Sequence, residues 1–234
     1  MNRTFLKGVK HGIPIGLGYL SVAFAFGIQA VGEGISPAQA LLISMTNVTS
    51  AGQLAALPLI ATQASLIELA LTQLVINLRY ALMSLSLSQR LDKSMTTLHR
   101  LIFSFMNTDE IFAVASSQPE KVGRVYLYGL MSTPYIGWSL GTILGAVAGQ
   151  ILPEFLRTAL GIAIYGMFLA IILPPARKER PVRVVVLLAV AMSLMFRYLP
   201  VLNQVSSGFV IIICAVAAST LGALLFPVGE EDAA

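Results

Sequence analysis

Charge is scarce in this sequence. Only 11% of its 234 residues are Asp, Glu, Lys or Arg, where a soluble globular domain carries about 25%. That excludes an ordinary water-soluble core. Cysteine is nearly absent: Cys214 stands alone in an apolar stretch, so there is no disulfide framework and no metal–thiolate site. The two histidines, His11 and His99, are isolated near segment ends and supply no converging donors for a metal. No Walker A phosphate loop, HExxH metal motif, Gly-x-Ser-x-Gly elbow or Cys–His pairing occurs. The sequence therefore predicts a chain that is not an enzyme, holds no cofactor or metal, and does not hydrolyse ATP.

What fills the chain instead is apolar, with 56% hydrophobic residues and a mean hydropathy of +0.82. Runs of about 20 such residues, the length that crosses a bilayer as a helix, recur along almost the whole sequence. Strong spans are predicted at 12–32, 65–88, 125–150, 157–174, 183–200 and 206–227. Two further segments are ambiguous. Residues 37–61 are apolar at both ends but polar and glycine-broken in the middle, and residues 100–118 are short and carry Asp109 and Glu110. The fold class is all-α: a polytopic helical membrane protein of six to eight transmembrane or re-entrant helices, with 1–234 as one integral membrane domain.

The net charge of +4 and pI near 9.4 come from loop residues, as membrane topology requires, and imply no nucleic acid. Arg3, Lys7 and Lys10 precede the first span. Lys121 and Arg124 precede the third, and Arg177, Lys178, Arg180 and Arg183 form another basic loop. The positive-inside rule places these groups, and both termini, in the cytoplasm. That holds if both ambiguous segments cross, giving eight spans, or if neither does, giving six. Six also puts Arg90, Lys93 and Arg100 inside. The N-terminus mimics a signal peptide, with a basic start and Ala23-Phe24-Ala25. Pro14, Gly16 and Gly18 interrupt it, and it reads as an uncleaved first span. Ala30-Val31 with Pro37 recurs as Ala146-Val147 with Pro153, and Arg79-Tyr80 as Arg197-Tyr198, each displaced by about half the chain. Repeat halves 1–118 and 119–228 would explain this, as in transporters built from two repeats.

Polar residues inside the apolar runs carry the functional signal. On a helical wheel of 65–88, Leu71, Leu74, Leu78, Leu82 and Leu85 form one stripe, the natural lipid face. Arg79 and Asn77 point elsewhere, toward partners or water. An arginine on a lipid-facing helix centre costs about 2.5–3.5 kcal/mol on insertion scales, so something must offset it. Glu68 shares its face but lies eleven residues away, about 16 Å along the axis, too far to pair directly. Asp109, Glu110 or a bound carboxylate are nearer candidates.

In "MTNVTSAGQ", Thr46, Asn47, Thr49, Ser50 and Gln53 surround Ala51 and Gly52. Irregular backbone at membrane depth is tolerated only inside protein or along a watery cavity. A helix broken here exposes N–H groups that attract a carboxylate, whereas close packing by small residues is the plainer account. In "NTDEIFAV", Asp109 and Glu110 fit a proton carrier, an ion-pair partner for Arg79, or a helix start capped by Asn107 or Thr108. Gly137, Gly141, Gly145 and Gly149 repeat every fourth position. They make a face for close approach by an internal helix or a partner subunit.

"SAGQLAAL" (50–57), "NLRYALMSLSL" (77–87) and "TDEIFAV" (108–114), in this order behind a glycine-rich first span, resemble the AzlC family, the large subunit of branched-chain amino acid exporters of the LIV-E type. The likeness is most specific from Gly12 to about Gly149, and the chain departs from the family pattern at Leu54 and Tyr80. The resemblance implies export of valine, leucine, isoleucine or analogues across the cytoplasmic membrane, with a small AzlD-type membrane subunit as partner. With no ATP-hydrolysis motif, uphill transport would draw on an ion gradient or a substrate gradient. An amino acid zwitterion needs a cation or helix N-terminus for its carboxylate, which Arg79, Asn77 and the 46–53 break can supply. It needs an acceptor for its ammonium, which Asp109 or Glu110 can supply. Tyr80, next to Arg79 in the chain, is grouped with these pathway residues.

Two other readings stand beside export. A passive pore subunit requires polar residues along several helices, whereas here they concentrate in the first half. A non-transporting assembly or sensor subunit predicts that Arg79 substitutions change complex stability and nothing separable from it.

Overall fold

The computed structural model describes residues 3–227, the side chains at 163, 164, 167 and 171 excepted. It is all-α. Its helices are α1 (Arg3–Gly32), α2 (Pro37–Thr46), α3 (Ala51–Ala61), α4 (Leu66–Ser88), α5 (Thr97–Ser104), α6 (Asp109–Ser116), α7 (Arg124–Ile151), α8 (Glu154–Lys178), α9 (Arg180–Tyr198) and α10 (Ser207–Leu225). The six strong spans are the six long helices. α1, α4, α9 and α10 are each long and apolar enough to cross a bilayer. α7 and α8, at 28 and 25 residues, have the length as well.

The two ambiguous segments are each a pair of short helices around a break. α2 is cut off by Asn47, which leaves helical geometry, and by Ser50, a left-handed residue at φ +50°. α2 begins sharply too: Ser36 and Gln39 form a capping box with Pro37 in the first turn. Positions 44 and 53 of one continuous helix would stand about 13 Å apart along the axis. Here Gln53 Nε2 donates to Ser44 Oγ at 2.8 Å, so the chain doubles back. α5 and α6 do the same around residues 105–108. The loop before α5 pairs with the loop after α6 through a Leu91–Val122 bridge, with Asp92 N–H donating to the Val122 carbonyl and Val122 N–H to that of Arg90. The segment therefore leaves and returns at one end. Hydropathy alone could not separate a broken helix pair from one continuous short helix, because both contain the same number of apolar residues.

The chain forms two compact units, Met1–Leu57 with Asn77–Ile164, and Pro58–Ile76 with Tyr165–Ala234. In the first, α1 and α7 run parallel along a seam of glycines. Cβ atoms placed on Gly8, Gly16 and Gly27 would strike the backbone near Tyr126, Thr133 and Thr142. Those on Gly137 and Gly145 would strike the carbonyls of Gly16 and Phe24. The glycine face of α7 thus serves an internal helix. Without side chains between them the two backbones meet directly, and van der Waals contact replaces the hydrophobic drive that lipid does not supply. Tyr19, Val48, Met106, Ile111, Tyr126 and Trp138 join in one buried cluster beside this seam. In the second unit α9 packs on α10, with Val185 against Gly222, and α9 buries none of its residues.

Candidate functional site at the two helix breaks

Both breaks fall in the first unit, and the hairpins approach from opposite ends. α2 descends from the C-terminal end of α1, while α5–α6 rises from the loop that leads into α7. They meet at the middle of α7. Tyr135 donates its hydroxyl to the Met45 carbonyl at the end of α2 (3.1 Å), and its ring stands edge-on to Phe105 of the second break, 6.4 Å between centroids. One tyrosine therefore touches both interruptions.

At the first break the sequence-predicted residues divide. Thr46 is exposed and donates back to the Leu42 carbonyl (2.7 Å), so its hydroxyl satisfies its own helix. Thr49 donates to Asn47 Oδ1 at 3.1 Å across the turn. Gln53 and Gly52 are buried. Gln53 is tied through Ser44 to Thr142 on α7, whose hydroxyl lies 2.6 Å from that of Ser44. All three side chains are fully enclosed. Ser50 Oγ and Gln53 Oε1 are buried with no hydrogen-bond partner, two acceptors left for something polar at the break.

At the second break Arg79 pairs with Asp109, Nη2 to Oδ2 at 2.8 Å, with 51% and 45% of the two side chains still exposed. Arg79 also reaches the Tyr80 hydroxyl at 3.3 Å and lies 5.0 Å from the centre of its ring. The helical wheel turned Arg79 away from the leucine stripe, and the five leucines are indeed exposed while Asn77 and Tyr80 are half-buried. Glu68 serves α10 in the second unit. Glu110 meets Tyr19, whose hydroxyl lies 2.5 Å from both Glu110 Oε2 and Thr108 Oγ1. A phenol has one proton. With Glu110 ionised it goes to the carboxylate, and Thr108 donates to the phenol oxygen. Thr108 is the N-cap of α6 yet makes no side-chain cap bond, because its hydroxyl is committed to Tyr19. Asn107 donates to Ser84 at 3.0 Å. Both line a cavity of about 230 Å³, whose apolar walls are Leu87, Leu91, Leu101 and Phe103 and whose rim includes Arg100 and the hydroxyls of Ser88, Thr97 and Ser104.

Sequence reasoning missed Ser44, Tyr19 and Thr142. Each is a single polar side chain inside a long apolar or small-residue helix, with no local pattern to mark it. Among the described residues no three His, Cys, Asp or Glu gather as a metal set. The site offers a guanidinium, two carboxylates, two helix starts at Ala51 and Asp109 with positive dipole ends, and an apolar recess.

The fold and this site define a class: an all-α polytopic membrane protein with two short helix pairs, broken at residues 47–50 and 105–108. Residues 14–152 match the family described as "AzlC protein", and the chain belongs to that family. It is 30% identical to "Inner membrane protein YgaZ" of Escherichia coli (strain K12) over 201 residues, 81% of this chain and 80% of that one. It is 34% identical to an "Uncharacterized membrane protein" of Archaeoglobus fulgidus over 78% of this chain and 80% of that one. A Helicobacter pylori protein of the same description is 29% identical over 69% and 75%. No solved structure matches the chain significantly.

Proposed function

We propose that this protein exports small apolar amino acids, the branched-chain ones foremost, across the cytoplasmic membrane by secondary transport driven by an ion gradient. A small AzlD-type membrane subunit would be its partner. The observation that carries the reading is the half-open Arg79–Asp109 pair at the second helix break, where Asn107, two residues before Asp109, also lines a recess with apolar walls. An α-amino acid zwitterion is an anion and a cation a few ångströms apart. It can enter between guanidinium and carboxylate and replace one ion pair with two, so the empty site keeps its charges compensated. A branched aliphatic side chain can lie against Leu87, Leu91, Leu101 and Phe103, the apolar walls of a recess that also holds Arg100. Alternating movement of the two hairpins about the shared Tyr135 contact would open the site to each side in turn.

Family membership and the inner-membrane description of the Escherichia coli relative support the location. The basic groups at 3–10, 121–124 and 177–183 support cytoplasmic termini. On this reading the chain does no covalent chemistry and needs no cofactor. The test is efflux of labelled valine or leucine from preloaded cells that coexpress a small partner, wild type against Arg79→Ala and Asn77→Ala at matched membrane abundance. Loss of efflux with the protein still present supports the reading. No efflux from wild type with the partner present overturns it for these substrates.

A further inference from the structure

The second unit has a buried ionisable group of its own. Glu68, in the first turn of α4, keeps only 6% of its surface exposed. The sequence Ser65-Leu66-Ile67-Glu68 is a capping box, and Ser65 Oγ does accept from Glu68 N–H at 3.1 Å. The reciprocal half of such a box would have the glutamate return to the Ser65 N–H. Its carboxylate instead turns to the start of α10, where Oε1 accepts from Ser206 Oγ at 2.5 Å and from Gly208 N–H at 3.1 Å. The carboxylate is thus held by two donors at the positive end of a helix dipole. The groups bonded to the carboxylate are Ser206 and Gly208 at the start of α10, and Ser65 and Thr72 flank it on the α4 side; none of the four is titratable. Among the described residues no Lys, Arg or His lies within ion-pair distance of it.

Thr72 is what makes this more than a cap. One turn along α4, it is fully buried and its hydroxyl has no hydrogen-bond partner. It is aimed at the same spot as the carboxylate: a Cβ on Gly208 would lie 2.6 Å from Glu68 Oε1 and 2.7 Å from Thr72 Oγ1. Burying a hydroxyl with nothing to bond costs free energy, unless another state of the site uses it. Protonated Glu68 is that state. The neutral acid gives up its attraction to the α10 dipole and gains an O–H donor, and Thr72 Oγ1, which borders the same space beside Gly208, is an unused acceptor for it.

We infer that Glu68, with Thr72 and the first turn of α10, is a proton-binding site whose loading loosens α10 from α4. Resting on the transport reading above, it is the group that couples export to a proton gradient. Both helices begin here, next to the loops at 62–65 and 199–206, so a proton reaches the site from the aqueous side without crossing the apolar core.

The experiment uses the protein with its partner in proteoliposomes and two assays of labelled valine, counterflow without a gradient and net flux driven by a pH step. Wild type is expected to do both. Glu68→Gln is expected to keep counterflow within about twofold and to lose the response to the pH step. A Glu68→Gln variant that still follows the pH step overturns the inference, as does a wild type that counterflows yet ignores pH. Absence of wild-type counterflow fails the transport reading itself and is thereby distinguished. Thr72→Val decides the matter if Glu68→Gln does not fold. It leaves the bonds to α10 in place and removes the acceptor for the proton, so the midpoint of the pH dependence should move down. An unmoved midpoint overturns the inference.

Discussion

The Tyr19 phenol and the Glu110 carboxylate meet at 2.5 Å across 91 residues of sequence, and the Tyr19 ring stands edge-on to Trp138 at 5.1 Å. Through this bond α1 holds the first turn of α6, whose own cap residue makes no side-chain bond to it. Tyr19→Phe keeps the ring packing and removes only the hydroxyl. A hydrogen bond to a charged group contributes about 1.5–3 kcal/mol, and Glu110, being exposed, recovers part of that from solvent. A stability loss of about 1 kcal/mol is expected by thermal unfolding in detergent. Efflux should fall several-fold more than abundance does. A Tyr19→Phe protein with full efflux would separate this bond from transport.

Arg79 and Asp109 call for a different balance. Half-exposed ion pairs contribute about 0–1 kcal/mol to stability, so Arg79→Ala or Asp109→Asn should leave unfolding nearly unchanged and lower efflux at least about tenfold, a loss of about 1.4 kcal/mol in the limiting step. The exchanged pair, Arg79→Asp with Asp109→Arg, restores the attraction but reverses the order in which carboxylate and ammonium are met. It should remain inactive. Recovery of efflux in the exchanged protein would mean that the pair only braces α4 against α6.

Much of this architecture is legible in the sequence, for definable reasons. The six long helices follow from apolar length alone, and the leucine stripe of α4 emerges exposed because a period of 3.6 fixes its face. The glycines of α7 announced close packing but not with what, since a seam needs two sides and the second, on α1, is spaced less regularly. Polar density flagged both breaks, yet not their contents. Thr46 looked like a lining residue and bonds to its own helix, while Ser44 looked like helix and is part of the buried network. Which of two nearby hydroxyls faces inward depends on where the helix stops. Ser50 sets that stop by adopting a positive φ that composition does not reveal.

The Ser44–Gln53–Thr142 chain should behave as one unit. Ser44→Ala strips the Gln53 amide and the Thr142 hydroxyl of a shared partner in a fully enclosed place. An orphaned buried polar group costs about 1–3 kcal/mol, so Ser44→Ala and Thr142→Val should each destabilise within that range. The double variant should cost less than the sum of the two, because residues of one network do not add. Strict additivity in a detergent-unfolding cycle would show that the three side chains are energetically separate.

The α1–α7 seam can be tested with a single methyl group. At Gly145 a Cβ would land on the Phe24 carbonyl, backbone against backbone with no flexible side chain to yield, so the helices must separate. Overpacking of this kind costs about 1–3 kcal/mol, and more where backbone has to move. At Gly18, on the other helix of the same seam, a Cβ meets nothing within 4 Å. There alanine only adds helix propensity, a gain of up to about 1 kcal/mol. Gly145→Ala should therefore lower the unfolding temperature and Gly18→Ala leave it level or raise it, although the substitutions are chemically identical. Because the parallel contact of α1 and α7 also sets the height at which Tyr19 meets Glu110 and Tyr135 meets Met45, Gly145→Ala should lose efflux beyond its loss of abundance. Equal effects at the two positions would mean that α1 and α7 do not pack through this face.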